Sequence, residues 1–289
     1  YLLTAALVCY LAWPYLWFYG FEGFLRSLSE FSAFEWTGIV LFEGQVFTEA
    51  TLPDYFLFKL IPLQFTLPLV LLALGGMVAA IVNGFRRKLD WGKVVLLFAW
   101  FVLPLAFTYL TGSTNYDNFR QYLFVMVPLF VFAGVALEEL LGVIPWRAGR
   151  AALVILVLLP GVVGLVRLHP YQYIYYNQLA GGTNGAFREY ELDYWLTSYK
   201  EAAAYIDEHI PPGSSILVWG GGRRVEPYLL NAYAFESAMR LDPSEFDRFE
   251  YVVITSEYKL DLDYHTDAET LFQVERAGVP LVFVKRLSP

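Results

Sequence analysis

"FRRKLDWGKVVLLFAWFVLPLAFTYL", residues 85–110, sets Arg86, Arg87, Lys88 and Lys93 directly before a run that carries no charge from residue 94 to 110. Such a run is too apolar on every side for an amphipathic surface helix, and about 20 residues of this kind cross a bilayer core. Working outward, residues 1–18, 58–82, 122–141 and 151–168 read the same way, so five membrane helices are predicted. Pro68, Pro104, Pro128 and Pro160 fall inside these spans and are read as packing kinks, which membrane helices tolerate. The link "PWRAGR" carries Arg147 and Arg150, on the same side as the first basic loop when all five spans cross. Basic short loops mark the cytoplasmic side. The other side then receives the loop at about residues 19–57, the loop 112–121 and everything after residue 168. Trp13, Tyr15, Trp17, Tyr109 and Tyr122 lie near the boundaries, where aromatic anchors belong.

Composition agrees with that reading. Of 289 residues, 57% are hydrophobic and only 17% charged, whereas soluble domains have about a quarter charged. The formal charge of −8 argues against a nucleic-acid partner. Residues 1–168 are close to neutral, so the acidic excess belongs to the tail. One cysteine, Cys9, excludes an intrachain disulfide and a cysteine-based metal cluster. The first residues, Tyr1-Leu2-Leu3, lack a basic n-region and read as the interior of a longer protein rather than a signal peptide.

After the last span comes a small α/β unit. "YKEAAAYIDEHI" (199–210) has helical spacing and a Pro-Pro-Gly stop. "SSILVWG" (214–220), "EYVVITS" (250–256) and "PLVFVKRL" (280–287) read as strands. "DAETLFQVERAG" (267–278) reads as a helix, with Asp267 as N-cap and Gly278 as its stop. Strands alternating with helices predict a parallel or mixed sheet, similar to half of a nucleotide-binding fold. "GGGRRVEP" (220–227) matches neither a dinucleotide fingerprint nor a P-loop and is read as a structural turn. The expected fold is therefore a multi-pass α-helical membrane protein followed by a small extracytoplasmic α/β domain. Its parts are a transmembrane region (1–168), an aromatic linker (169–195) and the α/β domain (196–289).

Chemistry-bearing residues sit where the fourth span begins. In "NYDNFRQYLFVMVPLF" (115–130), Tyr116, Asp117 and Arg120 stand at the mouth of an uncharged segment. A guanidinium at headgroup depth binds phosphate through two charge-assisted hydrogen bonds, and Asp117 three residues earlier can hold it. The bland alternative is an arginine that snorkels to the interface. In the outer loop, Glu43, Gln45, Glu49 and Asp54 face either water or a substrate. In "HPYQYIYYNQLAGG" (169–182), His169, Tyr173, Tyr175, Tyr176 and Asn177 suit either a sugar site or an interfacial belt, with belt and linker favoured. His169, His209 and His265 show no metal-ligand spacing.

Four stretches together resemble the C-terminal half of membrane glycosyltransferases of the GT-C class, the protein-mannosyltransferase and aminoarabinose-transferase type. They are "GIVLFEGQVFTEATLPDYFLFKLIPLQFTLPL" (38–69), "YDNFRQYLFVMVPL" (116–129), "HPYQYIYYNQLAGGTNGA" (169–186) and "YELDYW" (190–195). The resemblance implies transfer of a sugar from a polyprenyl-phosphate carrier to a protein, lipid or glycan acceptor at the extracytoplasmic face of the plasma membrane. In the family the general base is an aspartate of the first outer loop, for which neither Asp54 nor Asp117 is a counterpart. What carries over is support: Arg120 as ligand of the carrier phosphate, Asp117 to orient it and Tyr116 at the entrance. Glu43, Gln45, Tyr176 and Asn177 are further candidates for sugar or acceptor contacts. The implied partners are the bilayer and the lipid-linked donor; neither metal nor further cofactor is implied.

Two other classes compete. A membrane-anchored scaffold or ligand-binding protein would use the α/β module as its sensor, but one span would anchor it. A transporter would suit the spans but not the tail, and no span carries a charge near its middle.

Overall fold

The computed structural model describes residues 1–32, 38–113, 115–221 and 225–287. They form two compact units, 1–38 and 39–289. In the first, α1 (Leu2–Ala12) has 11 residues, about half of what a bilayer core requires. Pro14 follows, and α2 (Tyr15–Ser32) is broken at Gly20, whose φ of +56° is left-handed. The expected single span over residues 1–18 is therefore replaced by two helices, and part of the expected outer loop is helical.

In the second unit a hairpin comes first, formed by β1 (Ile39–Phe42) and β2 (Gln45–Thr48). Glu43 and Gly44 turn it with φ of +50° and +74°, the geometry of a tight two-residue hairpin turn. The span expected at 58–82 is also divided. Helix α3 (Phe56–Gln64) stops at Phe65, Thr66 is extended, and α4 (Leu67–Phe85) restarts with Pro68 in its first turn. A proline there loses no hydrogen bond, because the first helical N–H groups are unpaired anyway. Asn177 takes up the carbonyls left at the break. Its backbone N–H donates to Leu63 (2.8 Å), and its Nδ2 donates to the Pro62 and Phe65 oxygens at 2.7 and 2.6 Å.

Helix α5 (Trp91–Thr111) is capped by Asp90, which accepts from the Lys93 N–H at 3.0 Å, and ends at left-handed Gly112. A 3₁₀ segment (Arg120–Met126) leads into α6 (Val127–Val143), and α7 (Arg147–Arg167) follows. Among the described residues four segments are long and apolar enough to cross a membrane: Leu67–Phe85, Trp91–Thr111, Arg120–Val143 and Arg147–Arg167. Pro104 and Pro160 lie inside helices; Pro128, like Pro68, starts one. Helices α4 and α6 pack through small side chains. A Cβ on Gly76 would lie 1.7 Å from the Phe132 carbonyl oxygen, so the backbones meet there directly. Near their ends Asn83 Nδ2 donates to Glu139 Oε1 at 2.8 Å, which brings both helix C-termini, and the basic loops that follow them, to one end.

The C-terminal part holds α8 (Gly182–Ala186), α9 (Tyr199–His209), β3 (Ser215–Val218), β4 (Ala234–Ser237), β5 (Tyr251–Thr255), α10 (Leu260–Asp263), β6 (Glu269–Arg276) and β7 (Val279–Arg286). The sheet runs β4-β3-β5-β7-β6, with β3 parallel to β4 and β5, and β7 antiparallel to β5 and β6. The mixed sheet is as expected; the helix expected at 267–278 is strand β6. Ala277 and Gly278, at φ +53° and +82°, make a tight hairpin turn rather than a helix stop. Aromatic and β-branched Phe272 and Val274 then pair with β7. Leu217, Trp219, Val252 and Ile254 form one core with Phe246 and Phe249. Residues 222–224 of the glycine-rich turn, and the side chain of Glu49, lie outside the described residues.

Candidate functional site

The loop before α6 reverses through two consecutive left-handed residues, Asp117 (φ +47°) and Asn118 (φ +60°). Asp and Asn are the non-glycine residues that best accept this conformation. The reversal sets Asp117 Oδ2 2.8 Å from Arg120 Nη2 and the guanidinium 5.0 Å from the centre of the Tyr116 ring. The three residues singled out in the sequence are thus together. Their pairing comes from the left-handed turn, not from one turn of α-helix, since the 3₁₀ segment starts only at Arg120. A third of the Arg120 side chain, 34%, stays exposed, against 15% for Asp117.

The structure also holds an apolar groove. Phe58, Pro62, Phe65, Ala73, Met77 and Leu105 are among the residues lining a cavity of about 320 Å3 between α3, α4, α5 and the start of α6. Phe65 stacks on Phe119, with ring centres 5.8 Å apart, and meets Phe130 edge-on. Phe65 thus joins the groove lining to the loop that carries Arg120. Beside Phe65, Phe119 and Arg120 in the sequence are buried amide atoms without a hydrogen-bond partner among the described residues: Gln64 Nε2, Asn118 Nδ2 and both polar atoms of Gln121. Unpaired buried amides are costly and mark places where water or a ligand completes the bonding.

Behind Arg120 the loop docks on the C-terminal part through buried carboxylates that sequence reasoning did not single out. Glu191, 1% exposed, accepts from the Asn118 N–H (3.2 Å) and from the Tyr258 hydroxyl (3.2 Å). Glu257 accepts from the Leu192 N–H through both oxygens, at 2.9 and 3.1 Å. Asp193 accepts from Thr197 and Ser198 N–H groups (3.0 and 3.2 Å) and from the Tyr173 and Ser198 hydroxyls. Burial lifts the Glu257 carboxyl to about 8, with the charges of Asp193 and Asp117 adding to the rise. Glu191 is driven well above the carboxylate range by burial and then by Glu257 and Asp117. Burial also raises the Tyr194 phenol to about 12, helped by Asp117 and Glu191. Among the described residues no group of three His, Cys, Asp or Glu side chains is arranged to hold a metal ion.

Comparison with protein-family models, curated proteins and solved structures finds no match to this chain.

The other sequence candidates are placed differently. Tyr176 is 2% exposed, and its hydroxyl donates to Glu191 O (3.1 Å) and lies 3.3 Å from Asn118 Oδ1. Asn177 is fully buried and bonded at the α3–α4 break. Neither offers a face to a sugar. The favoured belt reading of this segment also gives way, because Tyr171 and Tyr176 are core residues rather than interfacial ones. Glu43 accepts from the Tyr55 hydroxyl at 2.7 Å and pairs with Lys59, while Gln45 is exposed at the hairpin turn. The hairpin was legible in principle, since "VLFEGQVF" is two short apolar-rich runs around a two-residue turn containing glycine. Glu191 and Glu257 left no local signal, because their partners are Asn118 and Leu192, 73 and 65 residues away.

Proposed function

We propose that this chain belongs to a membrane glycosyltransferase that takes its sugar from a polyprenyl-phosphate carrier at the extracytoplasmic face. One observation carries the reading: a guanidinium braced by Asp117 and Tyr116 directly follows Phe119, whose ring stacks on Phe65 in the lining of an apolar groove between helices long enough to cross a membrane. A lipid phosphate presents the matching pair of chemistries, a hydrocarbon tail and an anion. When the bond from the anomeric carbon to the carrier breaks, negative charge collects on the phosphate, and a fixed cation there lowers the barrier. The reading gives Arg120 a binding role and assigns no catalytic base among these residues. The buried carboxylate joint between loop 115–119 and the C-terminal part argues against a free-standing sensor module.

The test is transfer from a polyprenyl-phosphate sugar by membranes containing the full-length protein. Arg120→Ala is expected to abolish transfer while leaving folding and insertion intact, and Arg120→Lys to retain a fraction of it, since lysine keeps the charge but not the two-pronged contact. Full turnover by Arg120→Ala discards the phosphate-ligand role. Sidedness is checked separately with an impermeant thiol reagent on Ser113→Cys in a Cys9→Ser background. Labelling of intact cells is expected; labelling only after lysis reverses the orientation.

A further inference from the structure

A second recess lies against the last turns of α7, with a volume of about 300 Å3. One wall is helical: Pro160, Val163, Gly164 and Arg167 follow the spacing of a single helix face. On this face Pro160 and Gly164 are half-buried, whereas Val163 and Arg167 are exposed. The facing wall is a polar loop that includes Gln178, Thr183 and Asn184. Gly181 and Gly182 carry this loop through φ of +77° and +71°. Space between the walls is set by Gly164, where a Cβ would come within 3.0 Å of the Tyr175 ring. Arg167 ends α7, is exposed, and has no ion pair among the described residues.

Half apolar and half amide-lined, with one cation at the rim, the recess has the chemistry of a phospholipid's own boundary. We propose that it holds the phosphodiester of an anionic phospholipid, with Arg167 on the phosphate, Gln178 and Asn184 on the headgroup hydroxyls, and the acyl chains along Val163 and Pro160. No acidic side chain lines the recess, so an ammonium headgroup would find no counter-ion there, whereas the hydroxyls of a glycerol headgroup would find amides. A helix of 21 residues is about 31 Å long, which puts Arg167 at the edge of the hydrocarbon layer when α7 crosses it. This site is not the Arg120 site. Tyr176 lines the recess from behind and bonds to Asn118 and Glu191 with its hydroxyl, so it stands between the two.

The proposal rests on the bilayer placement of α7 but not on glycosyl transfer, so its test counts lipid and not turnover. The full-length protein is purified in detergent, supplied with phosphatidylglycerol, phosphatidylcholine or inorganic phosphate, and examined by native mass spectrometry. Phosphatidylglycerol is expected to be retained in preference to phosphatidylcholine, with no competition from millimolar phosphate. Arg167→Gln is expected to weaken that retention roughly tenfold, as loss of a charge-assisted contact does, while Arg150→Gln at the other end of α7 leaves it unchanged. Equal retention by Arg167→Gln overturns the site. Equal retention of phosphatidylcholine overturns the anionic headgroup, and displacement by free phosphate overturns a lipid ligand. A failure of the membrane placement of α7 shows instead when the same impermeant reagent labels Leu179→Cys, an exposed position beyond α7, only after lysis.

Discussion

Where α4 passes α6, the backbones are so close that Gly76 has no room for a Cβ beside the Phe132 carbonyl. In the sheet, by contrast, Ile216, Val218, Val253 and Val284 are fully buried and fill the space with branched side chains. The joint between these regions follows neither pattern. Asn118, Asn177, Glu191 and Glu257 are all buried there and are held by hydrogen bonds. Water drives branched side chains together in the sheet. In the proposed membrane placement hydrocarbon gives α4 and α6 no such force, and close packing of small residues takes its place. At the junction, backbone groups left by the broken α3–α4 helix and the reversing loop must be paired, and polar side chains are what pair them.

That contrast can be broken in three places. Gly76→Val should have the largest effect, because the Phe132 carbonyl it meets is backbone and cannot turn aside. A loss of at least ~3 kcal/mol is expected, seen as a lower melting temperature and a smaller monodisperse fraction on size exclusion. A melting curve matching wild type would show that α4 and α6 do not touch there. Asn177→Ala follows. It strands the Pro62 and Phe65 carbonyls, for a cost of about 2–4 kcal/mol, with faster amide exchange in residues 56–66 as the local signature. An effect confined to residues 178–182 would mean that Asn177 serves only its own turn.

The smallest effect concerns pH. The Glu257 carboxyl titrates near 8 in the folded protein against an ordinary value of 4.5. Between those values the unfolded chain has given up a proton that the native state still holds, so stability falls as pH rises through the window. Glu191, Asp193 and Asp261 are raised as well and act in the same direction. Exposed Asp242 is lowered and acts oppositely below pH 4, and His265, lowered by burial and then by Lys285, acts oppositely below pH 6.5, against the larger number of raised carboxyls. Melting temperature is therefore expected to drop from pH 5 to pH 8.5, and Glu257→Gln to flatten part of that slope and raise stability at the alkaline end by about 1–2 kcal/mol. An unchanged slope in Glu257→Gln would mean that this carboxyl is already ionised in the folded state.

Much of the fold was legible because its causes are local. The runs behind α5, α6 and α7 declare themselves by length and apolarity, and α9, β3, β5 and β7 by period and by their bounding turns. The failures share a cause. Residues 1–18 and 58–82 are apolar enough for single spans, but Pro14 and the Phe65–Thr66 break divide them. Hydropathy sums over a window and cannot see a change of backbone direction within it. Strand β6 was misread because "AETLFQVERAG" also carries a helical stripe; only its pairing with β7 decides between the two periods.

By itself the sequence determined which segments must leave water and where charge gathers, Arg120 and Asp117 included, since both depend on side-chain chemistry along a short stretch. Tertiary structure alone decided that a left-handed turn folds Asp117 and Tyr116 onto Arg120, that Asn177 closes a helix break and that Glu191 and Glu257 are buried. The last two depend on partners many residues away, and burial and hydrogen bonding are properties of the assembled neighbourhood rather than of any residue in it.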